Sequence, residues 1–184
     1  MSGRIPRATP GPSARTTPSF NGTAPRGRRY RSPFSVPTEF LRGVWGTGPC
    51  DVWVTSSYSG AAHYDCTSWT LAPNSTAASG GALWGTATND VWAAGSWYGI
   101  AHWNGSAWSS FSINADEETM DVWTSATNDA WATTYDGALY HWNGTAWSAA
   151  SIDNTFGVWG ARANDVWAVG GILAHWDGAS WTAW

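Results

Sequence analysis

The chain contains no lysine, and after residue 42 its only arginine is Arg162. It has two cysteines, too few for the dense disulfide framework of small secreted scaffolds. No apolar run approaches the roughly 20 residues that a membrane-spanning helix needs. Nothing near the start has the apolar core of about 7–15 residues that marks a secretory signal. Taken literally, the sequence reads as soluble and unexported. No stretch sustains a 3.6-residue apolar period, so a helical core is not expected. Phosphate loops, nucleophile elbows, kinase signatures and metal-ligand spacings are missing as well. No cofactor, metal or catalytic residue is therefore expected.

What is present is unevenly distributed. Residues 1–42 hold eight arginines against one acid, Glu39, a net charge of +7; residues 43–184 hold one arginine against twelve acids, a net charge of −11. The first segment is also rich in Pro, Gly, Ser and Thr and has almost nothing apolar to bury. It cannot offset the entropy of ordering itself, so residues 1–31 read as a disordered basic tail. RGRRYR (26–31) has the charge to touch nucleic acid or anionic surfaces, yet a solvated linker is the favoured reading. Nucleic acid is not the expected partner of an acidic body.

The body repeats. ALWGTATNDVWAAGSWYGIAHWNGSAW (82–108) aligns with residues 43–69, 120–147 and 156–181. The first tryptophan of each unit falls at 45, 84, 123 and 159, and the second at 53, 92, 131 and 167. A histidine follows at 63, 102, 141 and 175, and a closing tryptophan at 69, 108, 147 and 181. Of seventeen tryptophans only Trp97 and Trp184 are out of register. Within a unit, short runs such as VWAAG and GIAHW are separated by Asn-Asp and Asn-Gly turns, which tolerate positive φ. Four short strands in about 40 residues is the size of one propeller blade. Large indoles beside Ala93, Ala94, Gly95 and Ala101 suit blades that pack face to face. The expected fold is all-β: four four-stranded antiparallel blades, near 43–80, 81–119, 120–155 and 156–184.

The pattern WG-x5-DVWAxG…HW[ND]GxxW over residues 43–184 resembles the Trp-rich tandem propeller repeats of bacterial proteins. It is distantly similar to BNR/Asp-box propellers and to those of the photosystem II assembly-factor type. The closing WDGASW (176–181) is similar to an Asp box but lacks its serine and spacing. The resemblance implies a fold, with the box as a structural turn, and implies no catalytic activity.

Four blades are few for a ring. SPFSV (32–36) is similar to SSFSI (109–113) late in unit two, so residues 32–42 are a candidate closing strand. A four-bladed toroid closed across the termini is the favoured expectation. The alternative is an incomplete ring that self-associates or belongs to a longer array.

Cys50 and Cys66 occur only in unit one, in two turns that a meander places at the same end, which suggests a disulfide. A disulfide implies an oxidising, extracytoplasmic site, at odds with the missing signal and in favour of a start that is not the native one. The four histidines lie too far apart for one metal and read as structural. Asp51, Asp90, Asp129 and Asp165 read as turn residues. The sequons at Asn21, Asn74, Asn104 and Asn143 are expected from composition. Functional information should sit where the units differ: the turns between strands two and three, and the connectors between blades. These open on one face and would display Tyr58, Trp97, Tyr98, Tyr135 and Asp136, with Asp116, Glu117 and Glu118 from a connector. Aromatic and acidic groups together suit a glycan or a basic peptide. A non-catalytic binding scaffold is the first expectation; a carbohydrate-active enzyme and a functionless array remnant are the alternatives.

Overall fold

The computed structural model describes residues 34, 39–96, 99–113 and 118–184. The basic segment 1–31 lies outside them, as do Trp97, Tyr98, Asp116 and Glu117. The described chain forms sixteen strands in four antiparallel meanders. The first blade is β1 (Leu41–Gly48), β2 (Asp51–Ser56), β3 (Ala61–Tyr64) and β4 (Trp69–Leu71). A single 3-10 turn, Ser75–Ala78, leads to β5 (Leu83–Ala87), β6 (Asp90–Ser96), β7 (Gly99–Trp103) and β8 (Trp108–Phe111). The third blade comprises β9 (Thr119–Ala126), β10 (Asp129–Thr134), β11 (Leu139–Trp142) and β12 (Trp147–Ala149). The fourth comprises β13 (Thr155–Arg162), β14 (Asp165–Gly170), β15 (Leu173–Trp176) and β16 (Trp181–Ala183).

Register explains the tryptophan spacing. The first and second tryptophans of each unit face each other across the inner strand pair: Trp45 and Trp53, Trp84 and Trp92, Trp123 and Trp131, Trp159 and Trp167. The second tryptophan also pairs with the histidine on the third strand. Being directly opposite, these residues share one face of the sheet. Neighbouring positions point to the other face, where small residues such as Ala93 and Ala101 lie beside Trp103 and Trp108.

Blades join face to face through these residues. Trp53 stands 4.9 Å from Trp103 and 5.5 Å from Trp108 of the second blade. Trp92 repeats the contact with Trp142 and Trp147, and Trp131 repeats it with Trp176 and Trp181. In each case the closing tryptophan meets the second at close to a right angle, 86–87°, the edge-to-face arrangement that ring quadrupoles favour. Ala93, Ala94 and Ala101 are all buried, which leaves the room these indoles need. The inner strands also touch by small-residue contact. A β-carbon on Gly85 would lie 2.8 Å from Trp45, and one on Gly160 would lie 2.7 Å from Trp123.

The row does not close on itself. Inner strands pack in the order β1, β5, β9, β13, and among the described residues no comparable contact joins β13 back to β1. Val44 on β1 is 70% exposed, whereas its counterparts Leu83, Val122 and Val158 are 7% exposed or less. Among the described residues the favoured four-bladed toroid is therefore corrected to an open row, the incomplete ring that the sequence offered as its alternative. Residues 41–42, assigned to a closing strand by the sequence, instead begin the inner strand of the first blade. Phe34 is buried, and the rest of SPFSV lies outside the described residues.

Candidate functional site

Each blade carries the same polar relay between its inner strands. Asp51, Asp90, Asp129 and Asp165 open β2, β6, β10 and β14, and one oxygen of each meets His Nε2 on the third strand at 2.6–2.9 Å. The other oxygen accepts a hydroxyl: Thr47 at 2.5 Å in the first blade, Thr86 in the second and Ser125 in the third. In the fourth blade Ala161 stands at the hydroxyl position, and Arg162 approaches Asp165 at 3.8 Å instead. The imidazole then lies 4.2–4.6 Å from the second tryptophan. Burial pushes the Asp90 carboxyl up, but hydrogen bonds from His102, Thr86 and Thr127 and the nearby His102 charge outweigh it and leave it below its ordinary range. Asp129 follows the same balance with His141 and Ser125.

Carboxylate, imidazole and hydroxyl together invite comparison with a nucleophilic triad. The order is wrong for one. The hydroxyl donates to the aspartate, not to the histidine, so no base touches a nucleophile. The relay ties the first strand pair to the third strand and fixes the ring on which tryptophan rests. Sequence reasoning found the histidines structural and the aspartates turn-forming but did not pair them. The constant spacing of twelve residues from Asp51, Asp90 and Asp129 to His63, His102 and His141 was the available signal.

The turn between third and fourth strands is equally regular. Asn104 Oδ1 accepts the backbone N–H groups of Ser106 and Ala107 at 3.0 and 3.1 Å. Asp65, Asn143 and Asp177 accept the equivalent pairs. The next residue has positive φ: 92° at Gly105, 93° at Gly144, 98° at Gly178, and 78° at Cys66. A β-carbon on Gly105 would lie 2.8 Å from Asn89 Cβ. The repeat thus brings these two positions within cross-linking reach in every blade, and in the first blade Cys50 and Cys66 are bonded, their Cα atoms 4.4 Å apart. Cysteine accepts a left-handed backbone there because the bond holds it.

The non-repeated residues lie at the other end. Hydrogen bonds join the second-to-third-strand turns to the connectors: Tyr135 N–H donates to the Glu118 carbonyl at 2.8 Å, and Ser79 Oγ donates to the Tyr58 carbonyl at 3.2 Å. Both sets of segments therefore share one face, as the meander requires. Tyr58 and Tyr135 are 71% and 70% exposed there. Asp136 is engaged in its own turn, accepting from Thr134 Oγ1 at 2.6 Å and from Ala138 N–H. Glu39, not anticipated as a turn anchor, accepts from Ser59 N–H at 2.6 Å and from Ser56 and Ser59 hydroxyls, bracing the turn that carries Tyr58. Of the eight expected ligand residues, Tyr58, Tyr135, Asp136 and Glu118 are thus placed on this face. Trp97, Tyr98, Asp116 and Glu117 fall outside the described residues.

A shallow cleft of about 430 Å³ lies toward the opposite end, lined by Trp84, Trp123, Ser125 and Arg162. It contains none of the expected ligand residues. Asp121, half-buried on β9, was not singled out by the sequence; burial raises its carboxyl, while the Val158 and Val122 N–H groups it accepts at 2.9 Å pull the other way. It links β9 to β13.

No protein-family model matches the chain, and no curated protein matches it. Solved structures do. YCF48 bound to D1 peptide superposes with a TM-score of 0.55 at 18% identity, over 74% of this chain and 50% of that one. A catalytically inactive virginiamycin B lyase from Staphylococcus aureus with quinupristin gives 0.64 at 12% identity, over 83% and 58%. The fold is that of β-propeller blades. The computationally designed Ika4 protein gives 0.57 at 10% identity, over 85% and 98%. The chain spans about half the length of the YCF48 chain it matches. At these identities the likeness concerns the fold alone. Among the described residues no helix is long and apolar enough to cross a membrane.

Proposed function

We propose that the protein is a non-catalytic propeller-blade scaffold of the Trp-rich tandem-repeat kind, which binds a glycan or a basic peptide on its variable-loop face. One observation carries the reading: Tyr58 and Tyr135 are about 70% exposed in non-repeated turns, while the second tryptophan of every unit is engaged by its own histidine. A tyrosine offers a flat apolar face and a polar tip at low entropic cost, which suits either ligand class. The acidic body favours a cationic partner over an anionic one. A structural neighbour, YCF48, was solved with a peptide, which supports the peptide half of the reading.

Glycan and peptide arrays probed with the parent chain and with Tyr58→Ala, Tyr135→Ala and Trp97→Ala test it. The expected result is binding that falls at least tenfold in one or more variants whose melting temperature is unchanged. Turnover of a glycoside by the parent, or array binding indifferent to all three substitutions, overturns the reading.

A further inference from the structure

The two end faces of the row, as the described residues form them, are halves of the same interface that recurs three times within the chain. On the fourth blade, Val169 is 50% and Leu173 43% exposed. Their counterparts Thr55, Ala94 and Thr133, and Ala61, Ile100 and Leu139, are all 1% exposed or less. Trp159 is 52% exposed where Trp123 is 2%. These three residues face the position a following blade would take. The first blade presents the receiving side. Val44 is exposed, and Gly46 occupies the place at which Gly85 accepts Trp45 and Gly160 accepts Trp123.

One end therefore presents a tryptophan knob and apolar side chains, and the other presents the glycine recess that such a knob fills at Gly85 and at Gly160 inside the chain. An apolar face of this extent is rarely left in water. We infer that the partner of each face is a second copy of this chain, docked head to tail, with Trp159 of one copy over Gly46 of the other. The contact is heterologous: two different patches meet, so it either closes or propagates. Two copies supply eight blades, within the roughly 4–8 that propeller rings use, and one copy spans about half of a known propeller chain. The inference is a closed ring of two chains.

Sedimentation equilibrium and light scattering on the full chain test it. The expected species is a single one at twice 19.7 kDa at micromolar concentration. A monomer overturns the inference, and so does an open-ended polymer. Val44→Asp blocks one face and Trp159→Asp the other, at positions exposed enough for each variant to fold; near-UV circular dichroism of the dilute proteins checks that they do. Each variant alone is expected to be monomeric. Mixed, they retain one intact pair of faces, Val44 of one and Trp159 of the other, and are expected to form a heterodimer. Dimerisation of either variant alone means that like faces meet like, which overturns the head-to-tail arrangement.

Discussion

Trp92 is the most enclosed aromatic residue between the second and third blades, fully buried with rings of His102, Trp142, Trp147 and Phe111 around it. Truncating it to alanine removes about 150–250 Å² of buried apolar surface, worth about 4–6 kcal/mol at ~25 cal/mol per Å². The cost observed for Trp→Ala in protein cores is about 3–5 kcal/mol. A compensating effect is specific to this site. The Trp92 indole N–H is buried with no hydrogen-bond partner, and an unmet buried donor costs about 1–3 kcal/mol. Trp92→Phe keeps most of the ring and removes that donor, so its expected cost is only about 1 kcal/mol. For a domain of this size the difference corresponds to about 2–4 °C in Tm per kcal/mol. Urea unfolding followed by far-UV circular dichroism, with the slope checked for constancy, measures both variants. If Phe costs as much as Ala, the N–H is donating and the packing account is wrong. If Ala costs under about 1 kcal/mol, far below the usual core range, this contact is not part of the core.

Three further outcomes are expected. The Asp90 and Asp129 carboxyls lie below their ordinary value of 3.8 in the folded chain, so their contribution is complete above that value and is lost as pH falls through the folded values. Urea midpoints measured from neutral pH downward should therefore drop steeply on the acid side, and Asp90→Asn should flatten that limb. Reducing the Cys50–Cys66 bond frees a loop of sequence separation 16, worth about 3 kcal/mol by chain entropy; the melting temperature with and without reductant reads it, and an unchanged value would refute the role given to this staple. Gly160→Ala places a methyl 2.7 Å from two Trp123 ring atoms, for an expected loss of about 1–3 kcal/mol by overpacking. A neutral result in thermal unfolding would mean that the inner strands are not seated by this contact.

The architecture was legible because the sequence states it four times over. A tryptophan recurring with a histidine and a turn at fixed spacing leaves few arrangements, and each register pair now follows from it. The disulfide was legible for the same reason: two residues exclusive to one unit fell at positions that every unit brings together. The relay was not read, because Asp90 and His102 lie twelve residues apart and neither looks unusual alone. Pairing them requires knowing that the third strand returns beside the second in a particular register. Glu39 as a turn anchor was invisible too, since its bonds to Ser56 and Ser59 cross 17 and 20 residues. The candidate ligand face was inferred from lack of repetition. Two of its tyrosines prove exposed, whereas Asp136 is held by its own turn.

Ring closure marks the division most clearly. The sequence by itself determined blade number and strand order, because these depend on local alternation and repetition. Whether four blades close depends on the angle between successive sheets, which accumulates from side-chain volumes such as Gly85 against Trp45 and Gly160 against Trp123. No local pattern encodes that sum. Only the tertiary structure decided that Val44 and Trp159 end exposed on opposite end faces.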